Sequence, residues 1–390
     1  MSDAAVTVDG VLDRTEILPG PRIGEPAPWF IARSTSTPRF SFHTIAGRYI
    51  ALCFAGFAGH PLTVDALAQV ARRRALFDDV KAAFFGVSID PADEAHGRTV
   101  ENLPGLRWFL DHDQAVSRLY GAISQSAASS EEARSAYYPS WLVLDPQLRV
   151  VFKAPIAQTN EVLDFIAAAP PPADHAGTSL HAPVLILPRV FEPELCRRLI
   201  GTYEAHGGQA SGFMRDIDGK TRLILDATHK RRDDHDLVDP ALRQAVAARI
   251  HDRLIPEVAK AFQFKATRME RYLVGCYDAA EGGHFRPHRD NTTAGTAHRR
   301  FAVTINLNAE DYEGGDLSFP EFGPRRYRAP TGGAVVFSCS LLHMVDPITD
   351  GRRFAFLPFL YDEVAARERE ARNAELGQEL APYAAAARAT

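Results

Sequence analysis

The stretch that decides the reading is His288-Arg289-Asp290, taken with Ser338-Cys339-Ser340-Leu341-Leu342-His343-Met344-Val345 and Gly351-Arg352-Arg353-Phe354-Ala355-Phe356. A histidine and an aspartate two apart on an extended segment point to the same side, because alternate strand residues share a face. His343 follows the apolar run Gly333-Ala334-Val335-Val336-Phe337 and is the natural third ligand. Two imidazoles and one carboxylate leave the opposite positions of a metal open, a donor set suited to non-haem Fe(II) and oxygen chemistry. Ten residues further on, Arg353 presents a planar guanidinium able to hold a carboxylate by two parallel hydrogen bonds.

These residues, with Gly314-Gly315 before Asp316-Leu317-Ser318-Phe319-Pro320 and the turn from Pro330 to Gly333, make the segment from Tyr272 to Asp362 resemble the 2-oxoglutarate/Fe(II) dioxygenases, most closely the prolyl 4-hydroxylase-like branch. The resemblance implies a double-stranded β-helix, or jelly roll, with supporting helices. It implies Fe(II) on His288, Asp290 and His343, 2-oxoglutarate anchored by Arg353, O2 as co-substrate and ascorbate as a supportive reductant. The expected reaction is hydroxylation of a prolyl or other amino-acid residue, or of a small metabolite, with release of succinate and carbon dioxide. Fold analogy does not choose among those substrates.

Around this set lie further candidates. Tyr272 opens the strand leading to the ligand segment; it either hydrogen-bonds the co-substrate or is a core aromatic. In Phe301-Ala302-Val303-Thr304-Ile305-Asn306-Leu307, alternation puts Thr304 and Asn306 opposite Val303 and Ile305, facing either the cavity or solvent. Arg352 and Arg353 point opposite ways, and family spacing favours Arg353. His284 precedes His288 by four residues, a zinc spacing on a helix, but Gly282-Gly283 and Pro287 argue against a helix there. His284 is therefore read as lining the entrance, a candidate substrate contact rather than a metal ligand. The run from Arg215 to Asp236, with Lys220, Arg222, Lys230, Arg231, Arg232, Asp233 and Asp234, reads as a solvated loop or a lid over the substrate, and Arg231 and Arg232 are its candidate substrate contacts.

Upstream, the pattern changes. Tyr49-Ile50-Ala51-Leu52-Cys53-Phe54 and the segment from Ala82 to Ile89 read as strands, separated by a helical stretch near Val64 to Val80. A short helix near Ala115 to Ile123, a hairpin from Ser140 to Lys153 and a helix near Asn160 to Ala168 complete an α/β sandwich. Phe84-Phe85-Gly86-Val87-Ser88-Ile89-Asp90 and Pro139-Ser140-Trp141-Leu142-Val143-Leu144-Asp145-Pro146 resemble the thioredoxin-like peroxiredoxins. The turn that should carry their reactive thiol reads Ala55-Gly56-Phe57-Ala58-Gly59-His60-Pro61-Leu62-Thr63, without cysteine, and Cys53 lies upstream in an apolar strand. A redox-inactive domain that docks or scaffolds is expected, and a cis bond before Pro139 is left open.

The expected layout is a thioredoxin-like domain over 1–168, a Pro-rich linker over 169–182 containing Pro170-Pro171-Pro172, the dioxygenase domain over 183–363 and a charged, Ala-rich helical tail over 364–390. Within the second domain, helices are expected from Glu192 to His206 and Pro240 to Phe262.

Composition narrows the function classes. The chain has 390 residues, 46% hydrophobic and 24% charged, which fits globular domains with ample cores. A net charge of -5 argues against general nucleic-acid binding. Four scattered cysteines without a Cys-x-x-Cys pair fit a reducing compartment. Met1 to Leu18 lacks the pattern of a secretory signal, and no apolar run approaches the ~20 residues of a bilayer span, so a cytoplasmic protein is expected. The partner expected is a small-molecule or peptidyl substrate, with a homo-oligomer possible through the N-terminal domain or the tail. Two rival functions remain: a thiol peroxidase and a non-catalytic two-domain binding protein.

Overall fold

The computed structural model describes residues 20–123 and 137–385; the reading of Met1 to Leu18 lies outside them. The chain divides into two compact units, one running through Leu180 and including Glu321–Gly323, the other covering His181–Pro320 and Pro324 onward.

The first unit is built on a five-stranded sheet in the order Leu106–Leu110, Ala82–Ser88, Tyr49–Gly56, Ser140–Leu144, Val150–Pro155. The first three strands are parallel and the last two antiparallel. Tyr49–Gly56 and Ala82–Ser88 are buried along their whole length, which is why they read as unbroken apolar runs rather than alternating ones. Helices Pro61–Arg72 and Thr159–Ala168 cover one face, packing Ala66, Val70, Val162, Leu163 and Ile166 against Trp141 and Phe84. The one cis peptide among the described residues is Leu103-Pro104, so the bond before Pro139 is trans.

Two sheets form the second unit. The larger runs Arg268–Glu270, Phe359–Tyr361, Phe301–Asn306, Ile348–Phe356, Leu273–Asp278, Asp233–Asp236, Gln209–Ala210, with Ala334–Ser338 pairing Phe301–Asn306 and Leu185–Leu187. The smaller runs Lys230–Arg231, His284–His288, His343–Val345, Leu317–Ser318, Arg326–Tyr327. Helix Pro193–His206 and the helical stretch from Pro240 to Phe262, which loosens into a π-turn over Ile250–Leu254, lie on the outer face of the large sheet. There Leu199, Val246, Leu254 and Val258 meet Val274, Cys276, Val303, Ile305, Val336, Phe354 and Phe356. Because each of those strand residues is two from the next, the intervening positions 275, 277, 304, 306, 335, 337, 353 and 355 face the small sheet. The inner faces meet at Phe337, whose ring lies 4.6 Å from His343 and 5.0 Å from Phe319.

Two expectations are corrected. The charged run from Arg215 to Asp236 is not a solvated loop: it holds the hairpin Phe213–Ile217/Lys220–Ile224 and two strands, Lys230–Arg231 and Asp233–Asp236, that join the small and the large sheet respectively. Its charges fit a sheet because Lys230 and Arg232 turn inward and find partners there, instead of facing water. Among the described residues the tail is helical only over Glu363–Ala371, with a 3-10 turn at Asn373–Glu375. Beyond it the Gly377 amide donates to the Thr221 carbonyl (2.8 Å), so the tail is seated on its own unit rather than left to solvent.

Candidate metal centre

His288 ends its strand directly opposite His343, and a register shift between Phe285 and His288 marks a bulge there. Asp290 is not held by strand alternation. It lies past the strand end, where its amide donates to the Cys339 carbonyl (3.0 Å), a bond that ties the turn to the segment carrying His343. The result is one cluster: Asp290 carboxylate oxygens lie 3.7 Å from His288 Nε2 and 3.4 Å from His343 Nε2, and the two imidazole centroids are 4.2 Å apart. One donor atom from each of the three residues falls within 4.8 Å of the others, and no other such group of three occurs among the described residues.

Both imidazoles are oriented for metal binding. Nδ1 of His288 donates to the Arg286 carbonyl (2.8 Å) and Nδ1 of His343 to the Leu341 carbonyl (3.0 Å), which leaves each Nε2 a lone pair aimed at the cluster. Burial, then the neighbouring His343, pushes the His288 pKa well down and keeps its ring in the neutral, ligating form. Phe285 stacks on His288 at 3.4 Å between centroids.

Behind the cluster lies Arg353, 2% exposed, directly opposite Tyr277 in the sheet and 5.2 Å from that ring. One guanidinium nitrogen donates to Thr304 Oγ1 (3.0 Å); Nε and the other terminal nitrogen have no hydrogen-bond partner. Tyr312 completes this pocket: burial raises its phenol pKa, opposed by the charges of Arg353 and Arg328. Gly315, at φ +67°, lies over the Arg353 stem, where a Cβ would come 3.3 Å from its Cδ and 2.0 Å from Ile348 Cδ1. A buried cation with two orphan donors is costly unless an anion meets it, so the pocket suits the distal carboxylate of a keto-diacid. Arg352, as strand alternation requires, points the other way and pairs with Glu204 (2.9 Å).

The remaining candidates separate cleanly. Thr304 lies in the Arg353 pocket. Asn306 shares its face, donating to the Ala329 carbonyl (2.7 Å) with its own side-chain oxygen unpartnered. Tyr272 is out of phase with the pocket: it packs in the helix-side core, 6.3 Å from Phe356 and under Arg243 (4.5 Å). Tyr277, five residues on, is the inward tyrosine, and counting in twos from Arg353 across the pairing finds it. His284 is bonded to the Gly282 (2.8 Å) and Thr228 (3.3 Å) carbonyls, is paired in the sheet with the exposed Arg231, and stands outside the metal cluster. Arg231 donates to the Glu281 carbonyl (2.6 Å). Arg232 is buried, pairing with Asp234 (2.6 Å) and approaching the Tyr277 hydroxyl (3.4 Å). Lys230 went unread as a site residue; its amine lies 4.9 Å from the Phe285 centroid and donates to Ser211 Oγ and the Gly212 carbonyl, both at 2.7 Å.

Residues 272–361, which hold the triad and Arg353, match the family model described as the 2OG-Fe(II) oxygenase superfamily. Among individual relatives, a PKHD-type hydroxylase of Pseudomonas fluorescens is 35% identical over 104 residues, 25% of this chain and 44% of that protein. The chain thus spans about half the length of the curated relatives it matches. A Pseudomonas putida prolyl-4-hydroxylase structure aligns at 18% identity over 48% of this chain and 95% of that one, with a TM-score of 0.35. A Xanthomonas campestris bacterioferritin comigratory protein, in a structure titled for alkyl peroxide reduction, aligns at 16% identity over 36% of this chain and 90% of that one, with a TM-score of 0.31.

Proposed function

We propose that the second unit is an Fe(II)- and 2-oxoglutarate-dependent hydroxylase folded as a double-stranded β-helix, and that the first is a redox-inactive, thioredoxin-like scaffold. The observation that carries this reading is the buried Arg353 with two unpartnered nitrogens behind a His288/Asp290/His343 cluster.

His288, Asp290 and His343 would hold the iron, and Arg353 with Thr304, Tyr277 and Tyr312 would hold the co-substrate. When bound, iron and 2-oxoglutarate supply the activation of dioxygen and the oxidising equivalents for hydroxylation, with succinate and carbon dioxide as co-products. The chain's own part is positioning and shielding. Nδ1 bonds to backbone carbonyls fix both ligand rings, while Phe285 and Phe337 cover them against water. The Asp290 carboxylate offsets part of the dication's charge inside this largely buried site. Thr304 orients the guanidinium so that its other two nitrogens face the incoming carboxylate.

A peroxidase reading of the first unit finds no support in its thiol. Cys53 is fully buried in Tyr49–Gly56, and that burial pushes its pKa far above the ordinary thiol range, away from the reactive thiolate. Among the described residues no helix is long and apolar enough to cross a membrane, and a cytoplasmic enzyme is the setting we infer.

The test is succinate formation from 2-oxoglutarate by the purified full chain with Fe(II) and ascorbate. Turnover that requires iron and vanishes in His343→Ala supports the reading. No iron-dependent consumption of 2-oxoglutarate, coupled or uncoupled, refutes it.

A further inference from the structure

On the inner face, beside the triad, stands a second charged group, which meets the Arg353 pocket where Arg232 approaches the Tyr277 hydroxyl (3.4 Å). The chain crosses here from the small sheet (Lys230–Arg231) to the large one (Asp233–Asp236), so Lys230 and Arg232 enter from one segment. Arg271 joins them from the strand lead-in, with φ +70°, a conformation uncommon for any residue but glycine. That turn brings its guanidinium to Asp234 (3.2 Å). Arg232 already holds the same carboxylate at 2.6 and 2.7 Å, and Ser211 Oγ accepts from both Lys230 (2.7 Å) and Arg232 (3.1 Å).

The sheet makes room for this group. Gly275 lies opposite Asp234, and a Cβ there would come 3.1 Å from both Arg232 Cδ and Asp234 Oδ1. The Phe285 ring connects the group to the triad: the Lys230 amine lies 4.9 Å from its centroid, and the ring stacks on His288. Two guanidinium groups therefore share one carboxylate, while the Lys230 amine beside them is held by Ser211 Oγ and the Gly212 carbonyl rather than by a carboxylate. Glu270 does not restore the balance, being held by Arg299 (2.6 Å), Arg369 (2.7 Å) and His298 (3.1 Å). Buried cations in excess of their counter-ions call for an anion from outside.

We propose that Lys230, Arg232 and Arg271 form a subsite for a carboxylate carried by the molecule to be hydroxylated, one phenylalanine ring away from the iron ligands. This rests on the hydroxylase reading above and narrows its substrate class to carboxylate-bearing compounds. The carboxylate comes either from a small free acid or from an acidic side chain of a peptide.

The test uses the full chain loaded with Mn(II) and N-oxalylglycine, an unreactive 2-oxoglutarate analogue. Binding is read by calorimetry and saturation-transfer NMR against L-amino acids and N-acetyl-amino acids, their primary amides, and capped peptides containing Glu or Gln. Free acids, or Glu peptides, are expected to bind at least tenfold more tightly than the matching amides or Gln peptides; which pair shows the difference identifies the source. Lys230→Met should remove that difference, Lys230→Arg should restore it, and neither should alter the affinity for N-oxalylglycine. Arg271→Gln should reproduce the loss should Lys230→Met fold poorly. Equal binding of acids and amides, no binding by any member of the panel, or a Lys230→Met variant that keeps the difference would each overturn the subsite. Failure to bind Mn(II) or N-oxalylglycine at all would overturn the hydroxylase reading and the subsite with it.

Discussion

Replacing Arg353 with methionine separates its two roles, because the unliganded fold and the co-substrate place opposite demands on that side chain. In the free protein the guanidinium makes one side-chain bond, to Thr304, and leaves two nitrogens unpartnered. Losing the Thr304 bond costs about 1 kcal/mol, while each orphan donor removed returns about 1–3 kcal/mol. A thioether of similar length still fills the space against Tyr277 at a repacking cost of up to about 1.5 kcal/mol, so stability should be unchanged or higher by up to about 5 kcal/mol. Co-substrate binding should move the other way. Two charge-assisted bonds to a buried carboxylate contribute about 3–4 kcal/mol, so 2-oxoglutarate should bind roughly a few hundredfold more weakly. Urea unfolding of the metal-free protein and calorimetric titration of 2-oxoglutarate into the Mn(II) form measure the two effects. A variant destabilised by more than about 2 kcal/mol that still binds 2-oxoglutarate within tenfold of wild type would make Arg353 a structural residue and refute the argument.

Three further outcomes follow from the geometry. His288→Ala and His343→Ala should each lower retained iron from about one equivalent to near zero after desalting, by metal analysis, because two ligands from one side do not hold the ion; full retention would exclude the cluster. Gly275→Ala, whose Cβ would meet Leu357 at 2.9 Å as well as the Arg232–Asp234 pair, should destabilise by about 1–3 kcal/mol in urea, whereas Gly219→Ala, with open space around it, tests only its positive φ. His229, whose pKa burial and Arg215 push down to about 4 from 6.5, is neutral in the folded protein where the unfolded chain takes up a proton. Stability should therefore rise with pH across about 4 to 6.5 and be lost as pH falls through that window. His229→Gln should flatten this slope, and an identical slope in both proteins would contradict it.

Much of the site could be read from the chain because its polar members interrupt strongly apolar strands. His343 follows Gly333–Phe337, and Arg353 stands within Ile348–Phe356 beside residues of the helix-side core. What could not be read was phase. Tyr272 and Tyr277 are both aromatic residues of one strand region, and only the register with Ile348–Phe356 tells which faces inward. The Arg215 to Asp236 run misled for a different reason. Charge density normally marks solvent, but here Arg232 and Asp234 pair on an inner face kept open by Gly275. Strand alternation is the reason for grouping Asp290 with His288, yet Asp290 lies past the strand end, where its backbone is tied to Cys339 and Arg299, contacts that no local pattern encodes.

The most direct measurement is a crystal structure of the Mn(II) and N-oxalylglycine complex, with the metal located by anomalous scattering. The account predicts one anomalous peak bonded to His288 Nε2, Asp290 and His343 Nε2, with the analogue's distal carboxylate on both free nitrogens of Arg353. A peak elsewhere in the chain, or an analogue carboxylate bound away from Arg353, would contradict it.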